Sequence, residues 1–386
     1  MQQSILILGS GLIGKAIAAD LCHDYNVTCA DYQQEALHEI SSRYNVKTDL
    51  IDVRNAQALA KLVASFDLII IAVPGFLGYQ TLKIVIEAGK NLVDISFFPE
   101  DPFSLNELAI KQGVTAIVDC GVAPGLCNIW AGYQNTRMKM LGYECLVGGL
   151  PVVRTRPFEY KAVFSPADVI EEYTRPARYI ENGKQVVREA LSDVEQVQIP
   201  GVDTLEAFNT DGLRSLAYTM PHVPDMKEKT LRYPGHADLM RVFRDAGFFD
   251  KQMISLQQTD ISPLSFTSKL LFSNWKLMPG EEDFTIMRVT IRGENENSES
   301  ISVQYTLYDR YDTKSNLTSM ARTTGFTCTA AARLLLNDIF QRKGICPPEF
   351  IGSDPQSYAF VHESLAKRNV QIKEQTFSQS EHKIII

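Results

Sequence analysis

Ile5-Leu6-Ile7-Leu8 is an unbroken apolar run that ends on Gly9-Ser10-Gly11-Leu12-Ile13-Gly14, and Lys15 to Leu21 continues as a helix rich in Ala and Ile. Unalternating apolar runs of this length mark strands buried on both faces. A strand, G-x-G-x-x-G and a helix in that order restrict the chain to a βαβ opening with a diphosphate-binding turn. Gly9 makes the tight turn, Gly11 lets backbone approach a pyrophosphate, and Gly14 lets helix and strand pack closely. Ser10, Leu12 and Ile13 complete the turn, whose free N–H groups and helix dipole favour negative charge.

The next strand tests this reading. Asn26 to Ala30 is that strand, and Asp31 ends it, about twenty residues beyond the glycines as a dinucleotide site requires. A carboxylate there accepts hydrogen bonds from a free ribose 2′-hydroxyl and repels a 2′-phosphate, which favours NAD over NADP. Asp31 also stands where it can cap the helix from Gln33 to Tyr44. Asp52-Val53 closes a third short strand; Asp52 either faces the adenine amine or caps the helix from Asn55 to Ser65.

Asp67 to Pro74 is a continuously apolar strand stopped by Pro-Gly. Ligands lie beyond the carboxyl ends of such strands, so Val73 and Pro74 are expected in the cofactor cleft. Asn91 to Ser96 presents Asp94 and Ser96 to the same cleft after a helix over 79–88. A helix from Pro102 to Gln112 leads to strand Val114 to Val118, which ends at Asp119-Cys120-Gly121-Val122-Ala123-Pro124-Gly125. A carboxylate at the mouth of a parallel sheet is desolvated, which suits Asp119 to act as a general base; the plainer reading is a brace for the loop. The repeated alternation predicts an α/β, doubly wound parallel sheet.

Beyond Tyr133 the regular spacing stops. Phe284 to Ile291 and Ser300 to Leu307 alternate with period two, which fits an antiparallel sheet with one wet face. The expected division is a Rossmann domain over 1–127 and 323–386 with an inserted α+β domain over 128–322. A helix over 327–339, another over 357–368 and a strand through Thr376 are expected to complete the cofactor domain. With 45% hydrophobic and 22% charged residues, the chain has a globular composition. A formal charge of -8 argues against nucleic acid as partner. No apolar stretch reaches the roughly 18 residues of a membrane span. Seven cysteines without metal-type spacing fit reduced thiols in the cytoplasm and no metal site.

Five separated motifs in order resemble the saccharopine dehydrogenase-like oxidoreductases. They are the N-terminal glycines, Asp119 to Gly125, Gly148-Gly149-Leu150-Pro151, Glu171 to Arg178 and Thr230-Leu231-Arg232-Tyr233-Pro234-Gly235-His236. The stretch Leu205 to Arg214 is most similar to the lysine 6-dehydrogenase branch of the family. The resemblance implies a Rossmann domain formed by both chain ends, an inserted domain for substrate and dimer contacts, and a homodimer. It also implies NAD-dependent oxidative deamination of the ε-amine of L-lysine. Saccharopine or carboxynorspermidine dehydrogenation is the alternative within the enzyme class, and a non-catalytic NAD-binding sensor is the alternative outside it. A small amino-acid substrate needs a carboxylate clamp, for which a guanidinium is best suited. Arg175, Arg178, Arg214 and Arg232 are candidates, with Tyr173 and Lys161 as further contacts. His236, on the loop after Arg232, and Asp119 are the candidate bases, and Asp94 is a candidate partner for an ammonium group. Cys120 lies along the cofactor cleft and, like Cys127, has no activating base beside it in sequence.

Overall fold

The computed structural model describes residues 2–378 apart from 258 and 279. The chain opens with β1 (Ser4–Leu8), α1 (Leu12–Leu21), β2 (Asn26–Asp31), α2 (Gln34–Arg43), β3 (Lys47–Leu50) and α3 (Ala56–Val63). It continues with β4 (Leu68–Ile71), α4 (Gly75–Glu87), β5 (Leu92–Asp94), α5 (Asn106–Lys111), β6 (Thr115–Ile117) and α6 (Leu126–Asn135). The next segment brings β7 (Lys139–Pro151), α7 (Pro166–Thr174), β8 (Ala177–Glu181), β9 (Lys184–Arg188), β10 (Glu195–Ile199) and β11 (Asp203–Asn209). After α8 (Leu216–Thr219) come β12 (Met226–Arg232), α9 (His236–Asp245), β13 (Ile254–Leu256), β14 (Thr259–Ile261), α10 (Pro263–Trp275), β15 (Asp283–Glu294) and β16 (Ser300–Arg310). Last are α11 (Ser319–Leu336), β17 (Gly344–Cys346), α12 (Pro348–Gly352), α13 (Pro355–Lys367) and β18 (Ile372–Ser378). Among the described residues no helix is long and apolar enough to cross a membrane.

Two compact units result. The first comprises residues 1–137 and 320–371, and the second 138–319 and 372–386. In the first, seven parallel strands take the order β17-β6-β5-β4-β1-β2-β3. Strands β1 and β4 are buried on both faces, as their unbroken Ile and Leu runs require. The strand order reverses between β1 and β4, so the ligand crevice of such a sheet opens above that pair. The short strand β17, reached from α11, completes the sheet beside β6.

The second unit has a mixed sheet with the path β10-β11-β12-β7-β15-β16-β18, to which the β8–β9 hairpin is joined through β12. The long β15–β16 ladder is antiparallel, as the alternation of residue types predicts. The pairing of β12 with β7 is parallel, a long-range choice that local alternation does not encode. Helices α7, α9 and α10 share one apolar cluster with Phe208 of β11, centred on Val169, Tyr173, Met240, Leu271 and Trp275.

Three expectations need correction. The closing strand lies in the second unit, paired antiparallel with β16, and does not complete the cofactor sheet. Its Ile372 pairs with Leu307 and its Thr376 with Val303, so an apolar edge already waiting in β16 captures it. Helix α11 begins at Ser319, eight residues before the expected Thr327. Its first half is rich in Ser, Thr and Gly, poor formers in isolation; packing supplies the difference, because Gly325 lies against Ala16 and Ile17 of α1. Finally, residues 128–137 stay with the first unit, because α6 packs on α12. A Cβ on Gly132 would run into the Glu349 carbonyl, and one on Gly352 into that of Ile129.

That backbone-to-backbone approach gives a direct test. Gly352→Ala must push α12 off α6, so the urea midpoint is expected to fall by an amount equivalent to about 1–3 kcal/mol. An unchanged midpoint would show that the two helices can separate at no cost.

Candidate functional site

In the first unit the turn after β1 is built by two different kinds of glycine. Gly9 has φ +106 and lies against the Ala72 carbonyl, and Gly14 lies against the Gly9 carbonyl, so neither position has room for a Cβ. At Gly11, by contrast, an added Cβ would meet nothing within 4 Å. The first two glycines serve internal packing, and the third faces open space. Gly11 is also the N-cap of α1 and offers no side chain to the first N–H groups. Those donors, backed by the helix dipole, form an anion cradle. A dinucleotide diphosphate fits these residues.

Asp31 is held beside that cradle. Its Oδ2 accepts the Ser10 N–H at 2.7 Å and its Oδ1 accepts the Gln33 N–H at 2.9 Å. The carboxylate therefore braces the glycine turn from the end of β2. It also opens the turn into α2, although the N-cap of that helix is Gln33. Asp52 does not cap α3: the Asn55 side chain accepts the Ala58 N–H, and Asp52 is gripped by Arg54, with Nε at 2.9 Å and Nη2 at 2.6 Å. Val53 packs on the sheet core, and Val73 and Pro74 lie between β4 and α4, where Pro74 is the N-cap.

The ends of β5 and β6 converge. Asp94 is fully buried; its Oδ1 accepts the Ser96 N–H at 3.2 Å, and its carbonyl accepts the Cys120 N–H at 2.9 Å. Asp119 is buried with φ +55, a left-handed conformation unusual for a non-glycine residue. The loop behind it is wound on itself, with Gly121 N–H donating to the Pro124 carbonyl and Leu126 N–H to that of Gly121. Burial pushes the Cys120 thiol well above its ordinary range, with the charges of Asp94 and Asp119 adding to the effect. Cys328 of α11 shares the same environment and is raised by the same burial. Both sulfurs are packing groups, and Cys328 had no distinguishing signal in the sequence.

In the second unit the arginines divide into two settings. Arg178 on β8 makes a two-point contact with the buried Asp211, Nε to Oδ1 at 2.9 Å and Nη2 to Oδ2 at 2.7 Å. Arg175 lies near Arg214 and Arg178, with Glu171 3.6 Å away. Burial lowers the pKa of Arg175, and the Arg214 charge lowers it further. Arg214, at φ +50, is also buried. Arg175 thus lies beside both Arg178 and Arg214, with Glu171, Glu172 and Asp211 as carboxylates of the same neighbourhood, and guanidinium groups gathered in this way suit an organic anion.

Arg232 and His236 are placed otherwise than expected. Arg232 is the last residue of β12, only 2% exposed, with Nη2 on Glu172 Oε2 at 2.7 Å and its guanidinium 4.6 Å from the Tyr160 ring centroid. It is spoken for by Glu172 and is not a free clamp. Burial opposes its charge, yet Tyr160, Tyr173 and Glu172 hold it protonated. His236 stands in the first turn of α9, not on a loop, and its helix is anchored by Glu206, which accepts the Gly235 N–H at 2.8 Å and the Ala237 N–H at 2.6 Å. Its Nδ1 donates to the Phe158 carbonyl at 3.1 Å, so its Nε2 accepts from the Tyr173 hydroxyl at 2.8 Å. Both nitrogens of the neutral ring are used. Burial, with the Arg232 charge, pushes its pKa down to about 3. Lys161 reaches the Lys276 carbonyl and Glu281. The partners missed in the sequence, Glu172, Asp211 and Glu206, lie inside quoted motifs but carry no mark of pairing there.

The position of His236 predicts a pH effect. An unfolded imidazole takes a proton below its ordinary 6.5, whereas the folded one resists down to about 3. The unfolded state binds more protons in that window, so stability falls as pH drops from 6.5 towards 3. His236→Gln is expected to lower the melting temperature at pH 8 yet flatten its decline between pH 6.5 and 5. A decline as steep as in the parent protein would refute the buried neutral ring.

Residues 5–117 match the model of the saccharopine dehydrogenase NADP binding domain, and residues 121–370 that of the saccharopine dehydrogenase C-terminal domain. A saccharopine dehydrogenase [NADP(+), L-glutamate-forming] of Schizosaccharomyces pombe is 23% identical over 97% of this chain and 99% of its own. The mitochondrial alpha-aminoadipic semialdehyde synthase of Bos taurus is 24% identical over 90% of this chain, which spans only 45% of that protein. The apo saccharopine dehydrogenase (L-Glu forming) of Saccharomyces cerevisiae shares the fold, with a TM-score of 0.78 at 18% identity, covering 97% of this chain and 100% of that one.

Proposed function

The chain belongs to the saccharopine dehydrogenase family, and from that premise we propose that it is an NAD-dependent dehydrogenase acting on the ε-amine of L-lysine. The products are ammonia and the 6-semialdehyde, which closes on its own α-amine to piperideine carboxylate. Asp31 carries the cofactor preference: its charge is pinned by Ser10 and Gln33 where a 2′-phosphate would be repelled. The bound nicotinamide would accept a hydride from the carbon that bears the amine. Asp119 is assigned the proton released when that amine is made neutral, because His236 has both nitrogens occupied. Asp94 is assigned the pairing with an ammonium group. Water then adds to the iminium carbon and ammonia leaves, which balances the reaction. Arg175 and Arg214 are assigned the α-carboxylate; Tyr173 is buried with its hydroxyl on His236 and steadies α7, at whose end Arg175 stands, instead of touching substrate. Dimerisation follows the family expectation.

A second reading has its own support. Arg175 lies beside both Arg178 and Arg214, and a secondary amine of the saccharopine type brings additional carboxylates for such a group of guanidinium side chains to hold.

Purified protein is expected to form NADH from NAD and L-lysine. Turnover with saccharopine alone would favour the second reading, and a thermal shift by NAD without turnover on any amine would favour a sensor. Asp31→Asn keeps an oxygen for the Ser10 N–H but removes the charge. It is expected to lower the preference for NAD over NADP about tenfold, equivalent to about 1.4 kcal/mol. An unchanged ratio would remove the ribose role from Asp31. Arg214→Ala is expected to raise KM for the amino acid about tenfold or more with a smaller change in kcat; an unaltered KM would take the arginine cluster out of substrate binding.

A further inference from the structure

A cleft of about 570 Å³ opens in the second unit, lined by residues of β7, β8, β12 and β15. Its volume is that of a small-ligand site, and no role has been given to it above. Tyr143, Ile180 and Met226 have buried side chains on the far face of the sheet and form only the floor of the cleft. Charged groups of both signs complete it, and most are already neutralised. Glu144 pairs with Lys227 at 2.8 Å and Glu181 with Arg188 at 2.6 Å.

Two charges in the lining are not matched in this way. Arg292 has no acidic partner among the described residues, and Asp225 has no cationic one; its Oδ1 accepts only the Asn182 N–H at 3.0 Å. The sheet puts them in one row. Arg292 is the register partner of Gly142, and the pairing of Met226 with Tyr143 sets Asp225 on the other side of the same glycine. Adjacent strands stand about 4.8 Å apart, so the two backbones are separated by roughly 10 Å. Gly142 puts no side chain between them. The Arg292 guanidinium lies over it, so near that an added Cβ would sit 2.8 Å from Nη2. Opposite charges thus share one cleft without pairing. A molecule carrying a carboxylate and an ammonium on neighbouring atoms would bridge them.

We propose that this cleft binds a free α-amino acid, its carboxylate on Arg292 and its ammonium on Asp225. Because Arg292 is exposed, the charge contribution is modest and is screened by salt.

L-Leucine is the probe, since it has no ε-amine to be oxidised. Calorimetric titration of the full chain is expected to show one leucine bound per chain. Isoamylamine, which lacks the carboxylate, and 4-methylpentanoate, which lacks the ammonium, should each bind at least about tenfold more weakly. Arg292→Ala and Asp225→Asn should each weaken leucine about tenfold or more while the melting temperature of the free protein is kept. Arg214→Ala should leave leucine binding within about twofold. The proposal is overturned if leucine does not bind, if either fragment binds as well as leucine, or if binding survives in Arg292→Ala and is lost in Arg214→Ala. This last result would assign leucine to the arginine cluster.

Discussion

The contact on which the first unit depends is one of backbone against backbone at the turn after β1. Gly9 lies on the Ala72 carbonyl and Gly14 on that of Gly9, so the strand, the turn and the first helix are locked with no side chain between them. Because these two positions are used up by packing, Gly11 is left facing outward over the bare N-terminus of α1. The Asp31 carboxylate then reaches across from β2 to take the Ser10 N–H. The anion cradle and the Asp31 carboxylate are therefore parts of one rigid assembly.

Charge pairing organises the second unit in a comparable way. A buried guanidinium is costly unless it has a partner, and Arg178 with Asp211 and Arg232 with Glu172 meet that condition. Arg175 stands 3.6 Å from Glu171 with the like charges of Arg214 and Arg178 nearby. Arg292, by contrast, is exposed and bears no such cost; it shares a lining with Asp225 without pairing to it.

The nucleotide half of the molecule was legible because each of its signals is local. A run such as Leu68-Ile69-Ile70-Ile71 can only be a strand covered on both faces, and a glycine pattern between strand and helix has one geometry. The second unit was less legible. Tyr233-Pro234-Gly235 looks like a rigid loop that aims Arg232 at substrate and carries His236 either as a base or as a structural residue. The turn is present, but it joins a buried strand end to a helix start and takes both side chains inside. Which carboxylate an arginine meets depends on residues 60 positions away in the case of Glu172 and 33 in the case of Asp211. The closing strand was misplaced for a related reason: its alternation says strand but not which sheet will take it.

What the amino-acid order alone determined was the βαβ opening, the diphosphate turn, the acidic residue at the end of β2 and the alternation of β15 with β16, because each depends on contacts within a strand, a turn or a hairpin. The tertiary structure decided which charges are paired, which histidine nitrogen carries the proton, where β18 docks and that β12 runs parallel to β7. Those outcomes rest on desolvation and on partners far along the chain, and both exist only once the chain has closed around them.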